Sequence, residues 1–206
     1  MSERVAHYGE IAEDLDFEAQ TVLVVAGASI EEVKAVVLTE AALPTDGETL
    51  EDDEVSAYGF VEVEGGVLAM EHTGYADPSL AALVQLSSGG RKAAVVRDNI
   101  QAHVRFGCAR DGALLFDDDE YIFIDADQRS RVPDELRPLF DLAWIDLDAD
   151  DQDEDVNPIA VALAMAELAT GVVLTAEDFE RLMELPRSEW HGVRTMRYVE
   201  GLEGQE

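Results

Sequence analysis

The chain has 206 residues, of which 47% are apolar and 29% charged, and this composition predicts a globular fold large enough to bury a substantial core. Its apolar runs are far shorter than the roughly 20 residues that a membrane-spanning helix needs, which excludes a membrane protein. With 46 acidic against 14 basic residues the formal net charge is -32, and a field this negative excludes direct binding of DNA or RNA as a main activity, because it repels phosphate.

The composition also indicates the cellular compartment and the kind of partner to expect. The start of the chain carries acidic residues and no apolar leader, so we expect a cytoplasmic protein. A single cysteine, Cys108, excludes an internal disulfide framework and a zinc site built mainly from thiolates. The negative field attracts basic proteins and cations. Genome base bias or adaptation to high salt would give the same composition, and the charge would then serve solubility alone.

A helix, a strand and a second helix are the first predicted elements. Apolar residues recur at helical spacing over about residues 3–16, which predicts an amphipathic helix. The β-branched run Thr21–Ala26 predicts a strand buried on both faces. Ser29 and Glu32 have the spacing of a capping box, so a helix is predicted to begin there and to end before Pro44.

A loop, a hairpin and a further helix follow. The tract 48–54 holds five acids in seven residues without an apolar period, which predicts a solvated loop. Strand patterns on both sides of Gly65 and Gly66 predict a hairpin. Asp77 followed by Pro78 predicts an N-cap and the first residue of a helix with an apolar stripe.

Four short strand patterns come next, and turn residues separate them. They cover residues 93–96, 102–109, 113–116 and 121–124. Short strands in this succession predict an antiparallel meander.

After Arg131 the apolar period changes from about two to about 3.6, which predicts helices. Pro133 opens the first of them. Asn157 opens another that is apolar nearly all round until Gly171, and such a helix must lie inside the fold.

A last capping box, formed by Thr175 and Asp178, predicts a helix that Pro186 ends. The predicted class is therefore α+β, with a mostly antiparallel sheet, packed helices and a C-terminal helical segment. We expect residues 1–127 to form the sheet domain and residues 128–206 to form a helical segment packed on the same core.

Four sequence pieces carry a family resemblance. They are HTGY at 72–75, LSSGG at 86–90, FGCARDG at 106–112 and AELATGVVLT at 166–175. In these pieces the chain resembles an uncharacterised family of small actinobacterial proteins that is known only as a domain of unknown function. The resemblance implies an α+β domain of bacterial origin and implies no catalytic residue.

The acidic tract 146–155 is the obvious candidate for calcium, since hard cations take oxygen ligands from flexible loops. Its spacing does not fit an EF-hand, which would need glycine where Asp151 stands and glutamate where Asn157 stands. The four histidines form no metal-like pair. We predict no metal site and no cofactor, and we expect the tract to be a solvated linker that repels itself and extends.

Catalytic motifs are weak throughout. Ser29 lies in a turn that lacks the second glycine of a nucleophile elbow, and Cys108 lies within a strand pattern, where a buried inert thiol is expected. His72, Tyr75 and His103 could supply the polar groups of a pocket, although a histidine at a strand end commonly has a structural role. We expect the protein not to be an enzyme.

The leading hypothesis is a non-enzymatic interaction module that binds a basic protein partner, either as an immunity or antitoxin-like protein or as a nucleic-acid-mimic inhibitor. One alternative is a small-ligand-binding protein or enzyme with a pocket near His72 and Tyr75. Another is an acidic protein whose charge serves solubility only. The candidate partner-binding residues are Asp117, Asp118, Asp119, Glu120, Asp146, Asp148, Asp150, Asp151, Asp153, Glu154 and Asp155.

Overall fold

A computed structural model describes residues 2–14, 19–43, 54–99, 103–145 and 156–195. Within these ranges seven strands form one antiparallel sheet and six α-helices pack on it, which confirms the predicted α+β class. The helices are α1 (Glu3–Asp14), α2 (Ile30–Glu40), α3 (Leu80–Leu86), α4 (Arg137–Ala143), α5 (Pro158–Thr170) and α6 (Ala176–Met183). The strands are β1 (Thr21–Ala26), β2 (Val55–Val63), β3 (Gly66–Glu71), β4 (Lys92–Arg97), β5 (Arg105–Arg110), β6 (Ala113–Asp118) and β7 (His191–Arg194).

The strand order is β6-β5-β4-β1-β3-β2-β7, which places β1 at the centre of the sheet. Its apolar run is buried on both faces, as the β-branched sequence predicted. Leu23 and Val25 face the core layer formed with α2 and α3. Val22 and Val24 face the larger layer, to which α1, α4, α5 and α6 contribute. The predicted hairpin and the β4-β5-β6 meander are both present.

Helix α5 is the internal helix that the sequence predicted. The side chain of Asn157 accepts hydrogen bonds from the backbone N–H groups of Ile159 (2.9 Å) and Ala160 (3.3 Å) and so caps its N-terminus. Gly171 ends it with a left-handed φ of 82°, which favours glycine. Ten of its thirteen residues are buried, against α1 on one side and the sheet on the other.

Both predicted capping boxes are formed. Ser29 accepts from the N–H of Glu32, and the carboxylate of Glu32 accepts from the N–H of Ser29 at 2.9 Å. Thr175 and Asp178 form the same reciprocal pair at the start of α6, where the carboxylate accepts at 2.9 Å. These local contacts fix where two helices begin.

The predicted N-cap at Asp77 is wrong. Helix α3 begins two residues further on, where Ser79 accepts from the N–H of Ala82 at 3.2 Å. Asp77 instead forms a buried ion pair with Arg105. A carboxylate that meets a buried guanidinium gains more than it would from one backbone N–H, so the long-range contact determines its conformation.

Three further differences concern strands. The predicted strand 121–124 is a 3-10 turn over Tyr121–Phe123. Strand β6 continues through Asp118, although the acids were expected to form a turn. Strand β7, which pairs with β2, was not predicted because its four residues show no apolar period.

Two predicted acidic loops fall largely or wholly outside the described residues. They are the tract 48–54, of which only Glu54 is described, and the tract 146–155. In the described part of the chain, every helix is too short or too polar to cross a bilayer.

Candidate functional site

Five polar residues on five neighbouring strands lie in one row across the sheet, near the end where β3 and β4 finish. The strand register pairs Arg105 with Arg97, Arg97 with Thr21, Thr21 with Glu71, and Glu71 with Tyr58. Side chains paired in this way point to the same face, which is the face covered by α2 and α3. All five are buried, and we call them the polar row.

The turn at residues 72–79 folds over the polar row. The hydroxyl of Tyr58 donates to the carbonyl of Ala76 at 2.8 Å, and burial raises the pKa of Tyr58 well above its usual value, so this hydroxyl remains a donor. The carboxylate of Glu71 accepts from the backbone N–H of Gly74 at 2.8 Å. These bonds attach the turn to the strands beneath it, because buried polar groups need partners.

Arg105 joins the turn to the edge of the sheet. Its Nη1 lies 2.5 Å from Oδ2 of Asp77 and donates to the carbonyl of Pro78 at 2.7 Å, while Nη2 lies 2.8 Å from Oδ1 of Asp117. Burial lowers the pKa of Arg105, but the two carboxylates raise it by more, and the net shift is upward. The guanidinium is therefore a permanent buried charge that organises the carboxylates around it.

Four consecutive acids, which we call the acidic corner, span the end of β6 and the turn that follows it. They are Asp117, Asp118, Asp119 and Glu120. Asp117 is largely buried against Arg105, and burial raises its pKa although the guanidinium opposes the shift. Asp118 accepts the backbone N–H of Glu120 at 3.0 Å and so shapes the turn. Two of the four acids therefore stabilise the corner itself.

Asp119 is the exposed member that the interior holds in place. Its side chain is 67% exposed, yet Oδ1 lies 3.3 Å from Nη2 of Arg97, whose own side chain is fully buried. The same Nη2 donates to the carbonyl of Asp119 at 3.2 Å. Among the described residues, Nε and Nη1 of Arg97 have no hydrogen-bond partner. Within the described ranges, the hydrogen bonds of this guanidinium thus go to Asp119.

Glu120 completes the corner at the surface. Its Oε1 lies 3.2 Å from Nδ1 of His103, and both side chains are about half exposed. The two guanidinium groups of Arg97 and Arg105 contact three carboxylates, those of Asp77, Asp117 and Asp119, so this cluster carries a net negative charge. An arrangement of this kind can hold exposed carboxylates in fixed positions toward a cation.

The three residues predicted for a pocket have separate environments. The ring of His72 stacks on Trp190 with centroids 4.0 Å apart, and Trp190 packs against the core layer of α1 and α5. Burial lowers the pKa of His72. Tyr75 is half-buried and donates its N–H to Thr73 at 3.3 Å, whereas His103 pairs with the acidic corner. The described contacts do not bring these three side chains together.

The structure also bears on the other residues that were considered for chemical roles. Cys108 is a buried free thiol whose pKa burial raises to about 12, as expected of an inert group. Within the described ranges, no three histidine, cysteine or acidic side chains are grouped so that they could hold a metal ion. The acids Asp146, Asp148, Asp150, Asp151, Asp153, Glu154 and Asp155 lie outside the described residues.

The two buried arginines were missed in the sequence. A signal was present, because Arg97 directly follows the apolar strand pattern 93–96 and Arg105 lies inside another pattern, in a chain with only 14 basic residues. A charged residue placed within an apolar strand needs a buried counter-charge. The sequence could have shown that a pairing site exists, although not which acids fill it.

Comparison with known proteins gives a family and no function. A family model described as "Family of unknown function (DUF6461)" matches residues 15–183, well over half of the chain, and the chain therefore belongs to this family. No curated protein and no solved structure matches the chain.

Proposed function

We propose that this member of a family of unknown function is a non-enzymatic interaction module that binds a basic protein partner through the acidic corner. The observation that carries the proposal is the exposed carboxylate of Asp119, which the fully buried guanidinium of Arg97 holds in one place. A carboxylate fixed in this way loses little further conformational entropy when it meets a cation. Because the Asp119 side chain is already ordered in the folded protein, less entropy is lost on binding.

The charge of the chain supports the same proposal through kinetics. A net charge of -32 raises the association rate with a cationic partner over long distances. The acidic tract 146–155 would add seven carboxylates by sequence. An immunity or antitoxin-like role, or inhibition by nucleic-acid mimicry, would use this charge against a cationic site.

The proposed setting is the cytoplasm of an actinobacterium. This setting is supported by the four sequence pieces that resemble an actinobacterial family. A small-ligand or enzymatic role at His72 has less support, because its ring stacks on Trp190.

The test compares two charge-matched variants as bait. Asp119→Asn with Glu120→Gln removes two carboxylates from the corner, and Asp127→Asn with Glu180→Gln removes two exposed carboxylates elsewhere. Each bait captures proteins from the native cytosol at about 50 mM and about 500 mM salt, since surface charge is screened at the higher concentration. The association rate of any captured protein is then measured with purified components.

We expect a basic protein that is captured at low salt and lost at high salt. The corner variant should slow its association by about tenfold, and the matched control should slow it much less, because electrostatic steering depends on where the charge lies. Capture that neither salt nor the corner variant changes would show that the acidic corner is not the interface. Failure to capture any basic protein would contradict the proposal as a whole.

A further inference from the structure

A cavity of about 230 Å³ opens between α2 and α3. Its apolar walls include Ala35 and Val36 on α2 and Ala81 and Ala82 on α3, and Thr39 and Gln85 are among its polar members. We call this feature the α2–α3 groove. The alanines leave room for a further chain to approach the two helices closely.

Two exposed leucines lie close to groove residues in the sequence. Leu80, at the start of α3, directly precedes Ala81 and is 48% exposed. Leu43, three residues beyond the groove residue Glu40, is 39% exposed. Burying such side chains on binding would be favourable, because apolar area would leave water.

The volume of the groove indicates what kind of ligand it can bind. Sites for small ligands and cofactors have volumes of about 300–1,000 Å³, and the α2–α3 groove is smaller. Its volume instead suits one large side chain, such as the apolar anchor residues that dominate protein interfaces. This favours a macromolecular partner over a small ligand.

Buried contacts link the groove to the acidic corner. Glu40, which lines the groove, accepts the backbone N–H of Ser79 at 3.1 Å, and its carboxylate also accepts the Ser79 hydroxyl. Two residues before Ser79, Asp77 pairs with Arg105, which also holds Asp117. One short turn therefore connects the apolar groove to the anionic cluster.

We propose that the α2–α3 groove anchors an amphipathic helix of the basic partner, an inference that rests on the proposed function. One large apolar side chain of that helix fills the groove, and its lysine or arginine residues lie toward Asp119 and Glu120. Helices commonly bind in grooves through anchors of this kind. A second copy of the chain does not fit, because each copy carries a charge of -32.

The experiment selects helical peptides from a display library on the immobilised full-length protein at low salt. Ala35→Trp and Ala81→Trp each fill the groove at an exposed helical position. Ala6→Trp makes the same change at an exposed position of α1, on the other side of the sheet. Circular dichroism confirms that each variant folds, and the selected peptides are then measured against every variant.

We expect enriched peptides to carry one large apolar residue with basic residues to one side of it. Either groove variant should weaken their binding by about 30-fold, as loss of an anchor residue does, while Ala6→Trp leaves it unchanged. If basic peptides bind the groove variants as tightly as they bind the wild type, the groove is not the binding site, and the proposed function is unaffected. Uncharged apolar peptides that need the groove would overturn the basic partner instead, and no enrichment would overturn both.

Discussion

Nη1 of Arg105 lies 2.5 Å from Oδ2 of Asp77, and this buried ion pair joins β5 to a turn that lies 28 residues earlier in the chain. The same guanidinium contacts Asp117 on β6. One side chain therefore connects the turn over the polar row to the acidic corner. Arg105 thus positions Asp117 within the acidic corner, while Arg97 holds the exposed Asp119.

Replacing Arg105 by methionine should destabilise the protein strongly. The change leaves Asp77 and Asp117 without their buried counter-charge, and removal of one partner from such a pair costs about 3–5 kcal/mol. Urea denaturation at neutral pH measures the loss. Arg110→Met is the matched control, because its pair with Glu135 is nearly half exposed on both sides and should contribute at most about 1 kcal/mol. Equal losses in the two variants would contradict the assigned role of Arg105.

Gly74→Ala should disrupt the turn over the polar row. Gly74 has a φ of 67°, and a Cβ there would lie 2.2 Å from the carbonyl oxygen of Asp98. Gly89→Ala is the control that distinguishes backbone strain from a steric clash of the added Cβ. Gly89 has a similar φ of 74° but no atom within 4 Å of its Cβ position. We expect about 1–2 kcal/mol for Gly89→Ala, from the left-handed backbone alone, and a clearly larger loss for Gly74→Ala. Similar unfolding free energies for both variants would show that the turn can move aside.

His72 should make stability depend on pH. Burial, in its stack with Trp190, lowers the pKa of His72 below the usual 6.5, although Glu71 opposes the shift. Between the two pKa values the unfolded chain binds more protons, so this contribution to stability rises with pH and is lost as pH falls. In the wild type, the free energy of unfolding should be higher at about pH 7.5 than at about pH 5.5. This difference should be smaller in His72→Gln. An unchanged difference between the two conditions would remove His72 from this role.

Elements with local signals could be predicted from the amino-acid sequence. Ser29 with Glu32, and Thr175 with Asp178, form the capping boxes that their spacing predicted. The apolar segment after Asn157 lies inside the fold. These signals act within one helical turn or along one strand, where hydrogen bonding and side-chain periodicity depend only on near neighbours.

The positions at which charged side chains pair depend on the fold and could not be predicted from local sequence. Asp77 has the local sequence of an N-cap, yet it pairs with Arg105 because the strand register and the 72–79 turn bring the two together. Arg97 reaches Asp119, and His72 stacks on Trp190, for the same reason. Partners far apart in sequence become neighbours through sheet order, and the low dielectric of the interior then makes their charges dominate over the weaker preferences of the local chain.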